Sequence, residues 1–304
     1  MSTERTRVWI GFIAVSWIWG STWLAIKIGL ESIPPLIGAG LRFLIAGSIL
    51  YAILKWKKIE VPLSPDVRRL YIVLVLFTYA IPYGVVYWCQ QFIPSGLSSI
   101  LFGAYPLWVA LLSHLLLRNE RLDTFKVAGI AIGFTGVVII FSHDIHWTDP
   151  RGFIGMAGML ATTLMQAFGL VIVKKDAQHV SPFAFNFVAM SIAGGLLTLS
   201  GLFFEPVTSI QWTAKAVGSL LYLSLVGSVI AFVTYHWLLK RVEAVYLSLV
   251  TFINPVIAVI LGALVLDETL AATVFLGAGM VLTGILIANG RQLYAKINGA
   301  TAVP

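Results

Sequence analysis

Ile45-Ala46-Gly47 returns 147 positions later as Ile192-Ala193-Gly194, with Lys27 falling on Lys174 and Pro35 on Pro182. At a shift of 148, Tyr87 meets Tyr235, Gly129 meets Gly277, and Thr135-Gly136 meets Thr283-Gly284. Pro106 meets Pro255 at 149, a drift that fits short loop insertions. The second half of the chain therefore repeats the first. Both copies are strings of continuous apolar segments about 20 residues long, the length a helix needs to span a bilayer. Two copies of one membrane bundle are the usual plan of a secondary transporter, with the substrate site between the copies.

Composition agrees with a lipid solvent. The 304 residues are 59% hydrophobic and 11% charged, with a mean hydropathy of +0.93. A soluble domain carries about 25% charged residues. Helices are the expected spanning element, because in hydrocarbon every backbone N–H and C=O must be paired within the protein. A transmembrane barrel would instead alternate apolar and polar residues over short strands. Cys89 is the one cysteine, which rules out an intrachain disulfide and reads as a small core residue. Arg5 and Arg7 precede an apolar run that continues to about Ile28 without a small-residue cleavage pattern, so that run is expected to stay as the first helix.

The fold class expected is an all-α integral membrane protein with ten transmembrane helices. They fall at roughly 8–29, 35–54, 70–91, 96–117, 125–142, 152–173, 182–204, 216–238, 245–266 and 271–289. The first repeat is expected over 8–142 and the second over 152–290, with a loose tail over 291–304. Basic residues set the orientation. Sixteen lie at one face: Arg5, Arg7, Lys55, Lys57, Lys58, Arg68, Arg69, Arg118, Arg121, Lys126, Lys174, Lys175, Lys240, Arg241, Arg291 and Lys296. Lys27, Arg151 and Lys215 lie at the other. The positive-inside rule then places both termini in the cytoplasm. The same rule accounts for the net charge of +7 without nucleic acid. Five helices per repeat is odd, so the second copy must enter the membrane upside down. The loops agree: Arg118-Asn119-Glu120-Arg121 is basic, while its counterpart Leu266-Asp267-Glu268-Thr269 has lost its basic residues.

These residues also carry a family resemblance. Trp19-Gly20-Ser21-Thr22 with Lys27, then Pro34-Pro35 and Leu41-Arg42-Phe43, resembles the opening of an EamA repeat of the drug/metabolite transporter superfamily. So does Tyr105-Pro106-Leu107 running to Glu120, echoed by Asn254-Pro255-Val256 running to Glu268. The resemblance covers about 8 to 290. It implies exporters of amino acids or related small metabolites in the bacterial inner membrane. It also implies a fold in which helices 1, 3, 4, 6, 8 and 9 surround a central cavity and helices 2, 5, 7 and 10 are peripheral. The second copy departs from the first at Ala189 for Arg42 and Gln178 for Glu31.

Helix three offers the clearest site. Tyr79, Tyr83 and Tyr87 are spaced to share one face, and Pro82 removes a backbone hydrogen bond among them. Such a stripe suits a substrate with apolar and polar parts. Tyr235 is the repeat partner of Tyr87. Tyr105, Gln166 and Asn254 add polar groups in helices four, six and nine, with Thr162, Thr163, Ser98, Ser99, Ser248 and Thr251 nearby in sequence. Small hydroxyl residues also join membrane helices, which is the competing role. Histidine as a residue type titrates near neutral pH, so His236 is a candidate for coupling, although its nearness to Lys240 suggests the interface. His114 reads as structural. Arg42 is the one charge placed within a span, a functional-site hypothesis by default. Its nearness to Pro35 would let it snorkel, and Glu31 or Glu268 could pair with it, so a structural ion pair is expected. Glu120 and Glu268 end helices four and nine and are candidates for gating. Lys27 and Lys174 read as interfacial anchors. Gly129, Gly133, Gly136, Gly277, Gly279 and Gly284 read as close-packing positions.

The expected function is secondary-active or facilitative transport of an amino acid or small metabolite by alternating access. The partners are a small molecule and the bilayer; a monomer suffices and a dimer is not excluded. Export of drugs or other metabolites is the alternative, and a receptor or membrane-embedded enzyme is the alternative of another class. Nothing in the chain calls for a cofactor or a metal. There is no G-x-x-x-x-G-K-[ST] loop for ATP, no H-E-x-x-H and no G-x-S-x-G. An organic phosphate would need several buried cations, and Arg42 stands alone. With no carboxylate deep in a span, uniport or exchange is expected.

Overall fold

The computed structural model describes residues 3–116, 124–143, 150–176, 180–239, 241 and 250–297, and among these every regular element is helical. In chain order the helices are α1 (Thr3–Leu30), α2 (Pro35–Lys57), α3 (Pro65–Cys89) and α4 (Ser95–Leu116). Then follow α5 (Thr124–His143), α6 (Pro150–Asp176) and α7 (Pro182–Phe204). Next is α8, made of the pieces Ala214–Leu221, Tyr222–Ile230 and Ala231–Leu239, and then α9 (Val250–Leu266) and α10 (Ala272–Ile297). Among the described residues, α1 to α4 and α6 to α8 are long and apolar enough to cross a membrane. The remaining three carry shorter apolar stretches, Thr124–Ile140, Ile253–Leu266 and Ala272–Gly284.

Proline sets several starts. Pro35, Pro65, Pro150 and Pro182 are each the first residue of a helix, where the missing N–H would have had no partner anyway. Lys58 closes α2 from the left-handed region, at φ 53° and ψ 40°. The structure departs from the sequence expectation in three places. α4 is interrupted at Gly103-Ala104, where one helix was expected; Pro106 lacks an N–H and crowds the carbonyl four residues back. α10 continues through Ile297, so the tail expected to be loose from Arg291 is helical that far. α3 and α8 each contain a π-helical piece, Leu74–Ala80 and Tyr222–Ile230, which begin 148 positions apart.

Packing runs mostly between the two halves of the chain. α2 lies along α7, α5 along α10, and α1 along α9, while α6 packs on α3 and α4. The π piece of α8 lies on α2, and the π piece of α3 lies on α7. In lipid there is no hydrophobic force between helices, so close approach through small residues does much of the joining. A Cβ on Gly284 would stand 2.5 Å from the Gly129 carbonyl oxygen and 2.6 Å from the Gly133 nitrogen. On Gly194 it would stand 2.7 Å from the Leu44 nitrogen. Gly279 is the exception among the expected packing glycines, with nothing within 4 Å of such a Cβ.

Charged side chains fasten helix ends. Lys27 of α1 donates to the carbonyls of Gln90 (2.5 Å) and Ile93 (3.0 Å), where α3 ends. Glu268 accepts from the backbone nitrogens of Ser95 (2.8 Å) and Gly96 (3.1 Å) and from Ser95 Oγ (2.8 Å), at the start of α4. Glu205 does the same for α2 through Leu36 (2.7 Å) and Ile37 (3.0 Å). Each charge opposes the dipole end it meets and pairs groups the helix cannot pair itself. Lys27 is therefore a staple within the protein rather than a free interfacial anchor.

Candidate functional site

The tyrosines of α3 share a face and separate in role. Tyr79 is buried, and its hydroxyl donates to Asn186 Oδ1 of α7 at 2.5 Å. Tyr87 is buried, with Arg42 within reach of its hydroxyl. Tyr83 keeps accessible surface although protein surrounds it. Tyr105 of α4 and Tyr235 of α8 have the same character, and the hydroxyls of Tyr83 and Tyr235 both lie within electrostatic reach of Tyr105. Three half-buried phenols from α3, α4 and α8 thus lie near one another within the bundle, and the region between them is the candidate site.

Aromatic rings extend its wall. Trp19 sits 4.8 Å from Tyr235 and 5.3 Å from Phe232, and Phe232 sits 5.4 Å from Tyr79. Phe43 meets Tyr79 at 5.3 Å and Tyr83 at 4.8 Å. On the α4 side, Phe102 stacks on Tyr105 at 5.7 Å and meets Trp23 at 5.3 Å.

Arg42 reaches this centre from α2. It is 1% exposed, so it does not snorkel. Its Nε donates to Ser228 Oγ at 2.9 Å, and Nη2 lies 3.5 Å from the Gly227 carbonyl, both in the π piece of α8. Ser228 is free to accept because its own hydroxyl proton goes to the Leu223 carbonyl at 2.9 Å. The guanidinium carbon stands 5.0 Å from the Tyr83 ring centre and 5.4 Å from that of Phe43. A Cβ at Gly227 would lie 3.5 Å from Nη2 and 2.9 Å from Thr22 Cγ2, so this place on α8 suits a glycine. The expected ion pair is not formed: Glu268 is engaged at the start of α4, and Glu31 is exposed. Nor is α2 merely peripheral, since the long stem of Arg42 carries its charge to the interior. An arginine mid-membrane costs roughly 3 kcal/mol by insertion scales. A cation–π contact offsets about 0.5–2 kcal/mol, and a hydrogen bond to a charged group about 1.5–3 kcal/mol. The charge is thus tolerated where it stands, with the hydroxyls of Tyr83 and Tyr87 also within reach of the guanidinium.

The other expected residues divide. His236 is buried rather than interfacial. Its Nδ1 lies 2.7 Å from the Phe232 carbonyl, which assigns the proton to Nδ1, and Asn186 Nδ2 lies 3.5 Å away. Tyr79 and Asn186 thus join α3 to α7, while His236 of α8 lies beside Asn186 with its Nδ1 proton given to its own helix. Asn254 braces α9 to α1, its amide nitrogen donating to the Ser16 carbonyl at 2.9 Å and the Val250 carbonyl at 3.0 Å. Thr162 and Thr163 turn their hydroxyls to their own helix, onto Met159 and Leu160 at 2.7 Å each. Gln166 is half-buried on α6, Lys174 is half-buried near its end, and His114 is exposed on α4. Glu120 and Ser248 lie outside the described residues, as does the Thr251 side chain. Sequence reasoning missed Asn186, Trp19, Phe102 and Phe232. Asn186 carried a signal, a carboxamide inside the apolar run of α7, where polar groups must face protein or water. Among the described residues no group of three or more His, Cys, Asp or Glu side chains is arranged to hold a metal ion.

The EamA-like transporter family model matches twice, over 7–142 and 153–290. The chain is 30% identical to the "uncharacterized transporter YoaV" of Bacillus subtilis, covering 92% of this chain and 96% of that protein. It is 32% identical to the "uncharacterized inner membrane transporter YedA" of Escherichia coli, over 91% and 89%. A solved crystal structure superposes with a TM-score of 0.70 at 20% identity, covering 96% of this chain and 99% of that one, which speaks to the fold alone. With most of its length matched by the family model in two stretches, the chain belongs to the EamA-like transporter family.

Proposed function

We propose that this membrane transporter exports amino acids or related small metabolites across the bacterial inner membrane, by alternating access between two inverted five-helix repeats. Both termini face the cytoplasm, and the substrate occupies the space lined by Tyr83, Tyr105 and Tyr235. The observation that carries this reading is the enclosed, accessible surface of those three tyrosines, which come from both halves of the chain. Aromatic faces suit an apolar body, and phenol hydroxyls suit polar ends. Matched contacts support the repeat. α2 meets the π piece of α8 through Arg42 and Ser228, and α7 meets the π piece of α3 through Asn186 and Tyr79. Two packings of similar energy, exchanged between the copies, are what alternating access requires. With no carboxylate in the described part of the cavity, movement by uniport or exchange is the simplest coupling.

Counterflow tests this. Proteoliposomes loaded with a mixture of unlabelled amino acids are offered labelled aromatic, small neutral and sulfur-containing ones. Saturable uptake of one class is expected. No uptake of any, by protein that remains monodisperse, would overturn amino-acid export. An imposed pH gradient that drives concentrative uptake would overturn uniport and exchange.

A further inference from the structure

We propose that Arg42 is the carboxylate-binding residue of the cavity, so that the substrate is a small monocarboxylate, free or zwitterionic, with an apolar body. This deepens the reading above and rests on it. Three features carry it. First, the guanidinium is 1% exposed, and among the described residues no acid pairs with it. Arginine keeps its charge at any ordinary pH, so the cation cannot escape burial by losing a proton. Second, its donors stand in a cluster of donors. Arg42 Nη1 and Tyr87 Oη are both buried, neither meets a carbonyl or an acid, and the guanidinium lies within reach of the hydroxyls of Tyr83 and Tyr87. A carboxylate offers acceptors only, which suits this set of donors, and the planar fork of arginine fits it well. Third, the neighbouring surface is aromatic: the Tyr83 ring lies 5.0 Å from the guanidinium and leads to Tyr105 and Tyr235. A dianionic phosphate is the poorer fit, because it calls for a second cation, and half-buried Lys27 already serves the carbonyls of Gln90 and Ile93.

The test compares acid with amide. Purified full-length protein is melted in detergent with L-phenylalanine, hydrocinnamate or L-phenylalaninamide, and each is also used as a competitor in counterflow. The two carboxylates are expected to raise the melting temperature and the amide is not, with affinities at least about tenfold apart. Arg42→Gln should remove the response to the acids, and Arg42→Lys, which keeps the charge without the fork, should weaken it. Equal responses to acid and amide, no response to either carboxylate, or acid selectivity that survives in Arg42→Gln would each overturn the proposal. If Arg42→Gln does not fold, unaltered acid affinity in Arg42→Lys overturns it instead. Counterflow without acid selectivity leaves the carrier reading standing and removes the carboxylate site. Acid-selective stabilisation without counterflow of any labelled compound does the reverse.

Discussion

Tyr79 and Tyr83 stand one turn apart on α3, yet the first is buried on Asn186 and the second keeps accessible surface. Replacing Tyr79 by Phe leaves Asn186 Oδ1 without its donor in a buried place. Thermal unfolding should show a loss of roughly 1–3 kcal/mol. The same change at Tyr83 should cost less, about 1 kcal/mol or below, because its hydroxyl keeps accessible surface and Arg42 beside it retains Ser228. The stripe was legible in sequence, since a spacing of four fixes a shared face. The division of roles was not, because it depends on Asn186, more than a hundred positions away on α7. Arg42 shows the same limit. Its presence in an apolar run was plain, but the ion pair expected from the nearest acids failed, as Glu268 is engaged with backbone N–H groups at the start of α4.

Among the helices, boundaries were the easier part. Apolar runs between prolines marked them, and proline opens α2, α3, α6 and α7. The π pieces of α3 and α8 had no such mark. Pro82 follows the first, but the position 148 later is Ile230, so proline is not what the two share. They share a place in the packing, each lying on α7 or α2. π-helical turns occur often at functional sites, and here one of them presents Ser228 and the Gly227 carbonyl to Arg42. Glycine contacts give a paired prediction. Gly284→Ala should destabilise by about 1–3 kcal/mol, because its Cβ would press on the Gly129 carbonyl across the α5–α10 seam. Gly279→Ala meets nothing and should be neutral or gain up to about 1 kcal/mol from helix propensity. Equal melting temperatures for the two variants would remove the seam from the explanation. Glu268→Ala should cost roughly 1 kcal/mol, as loss of a helix cap does, through the freed nitrogens of Ser95 and Gly96.

For the molecule as a whole, the repeat was readable in sequence, and the family model matches each half once; the sidedness argued from lysine and arginine is a prediction. An inverted arrangement of the two copies, as proposed, predicts opposite sides for matched loops. With Cys89 replaced by Ser, Ser64→Cys and Thr208→Cys each offer one exposed thiol, since Cys89 is the only native cysteine. A membrane-impermeant maleimide added to intact cells should label position 208 and not 64, and inverted vesicles should reverse this. Labelling of both from one side would contradict the inversion. The substrate path is tested most directly by the initial rate of counterflow through wild-type protein and through Tyr83→Ala, in proteoliposomes holding equal amounts of each. A fall of at least about tenfold, at an unchanged amount of folded protein, is the result expected if substrate passes the tyrosine-lined space. Equal rates would place the path elsewhere and return Tyr83, Tyr105 and Tyr235 to helix packing.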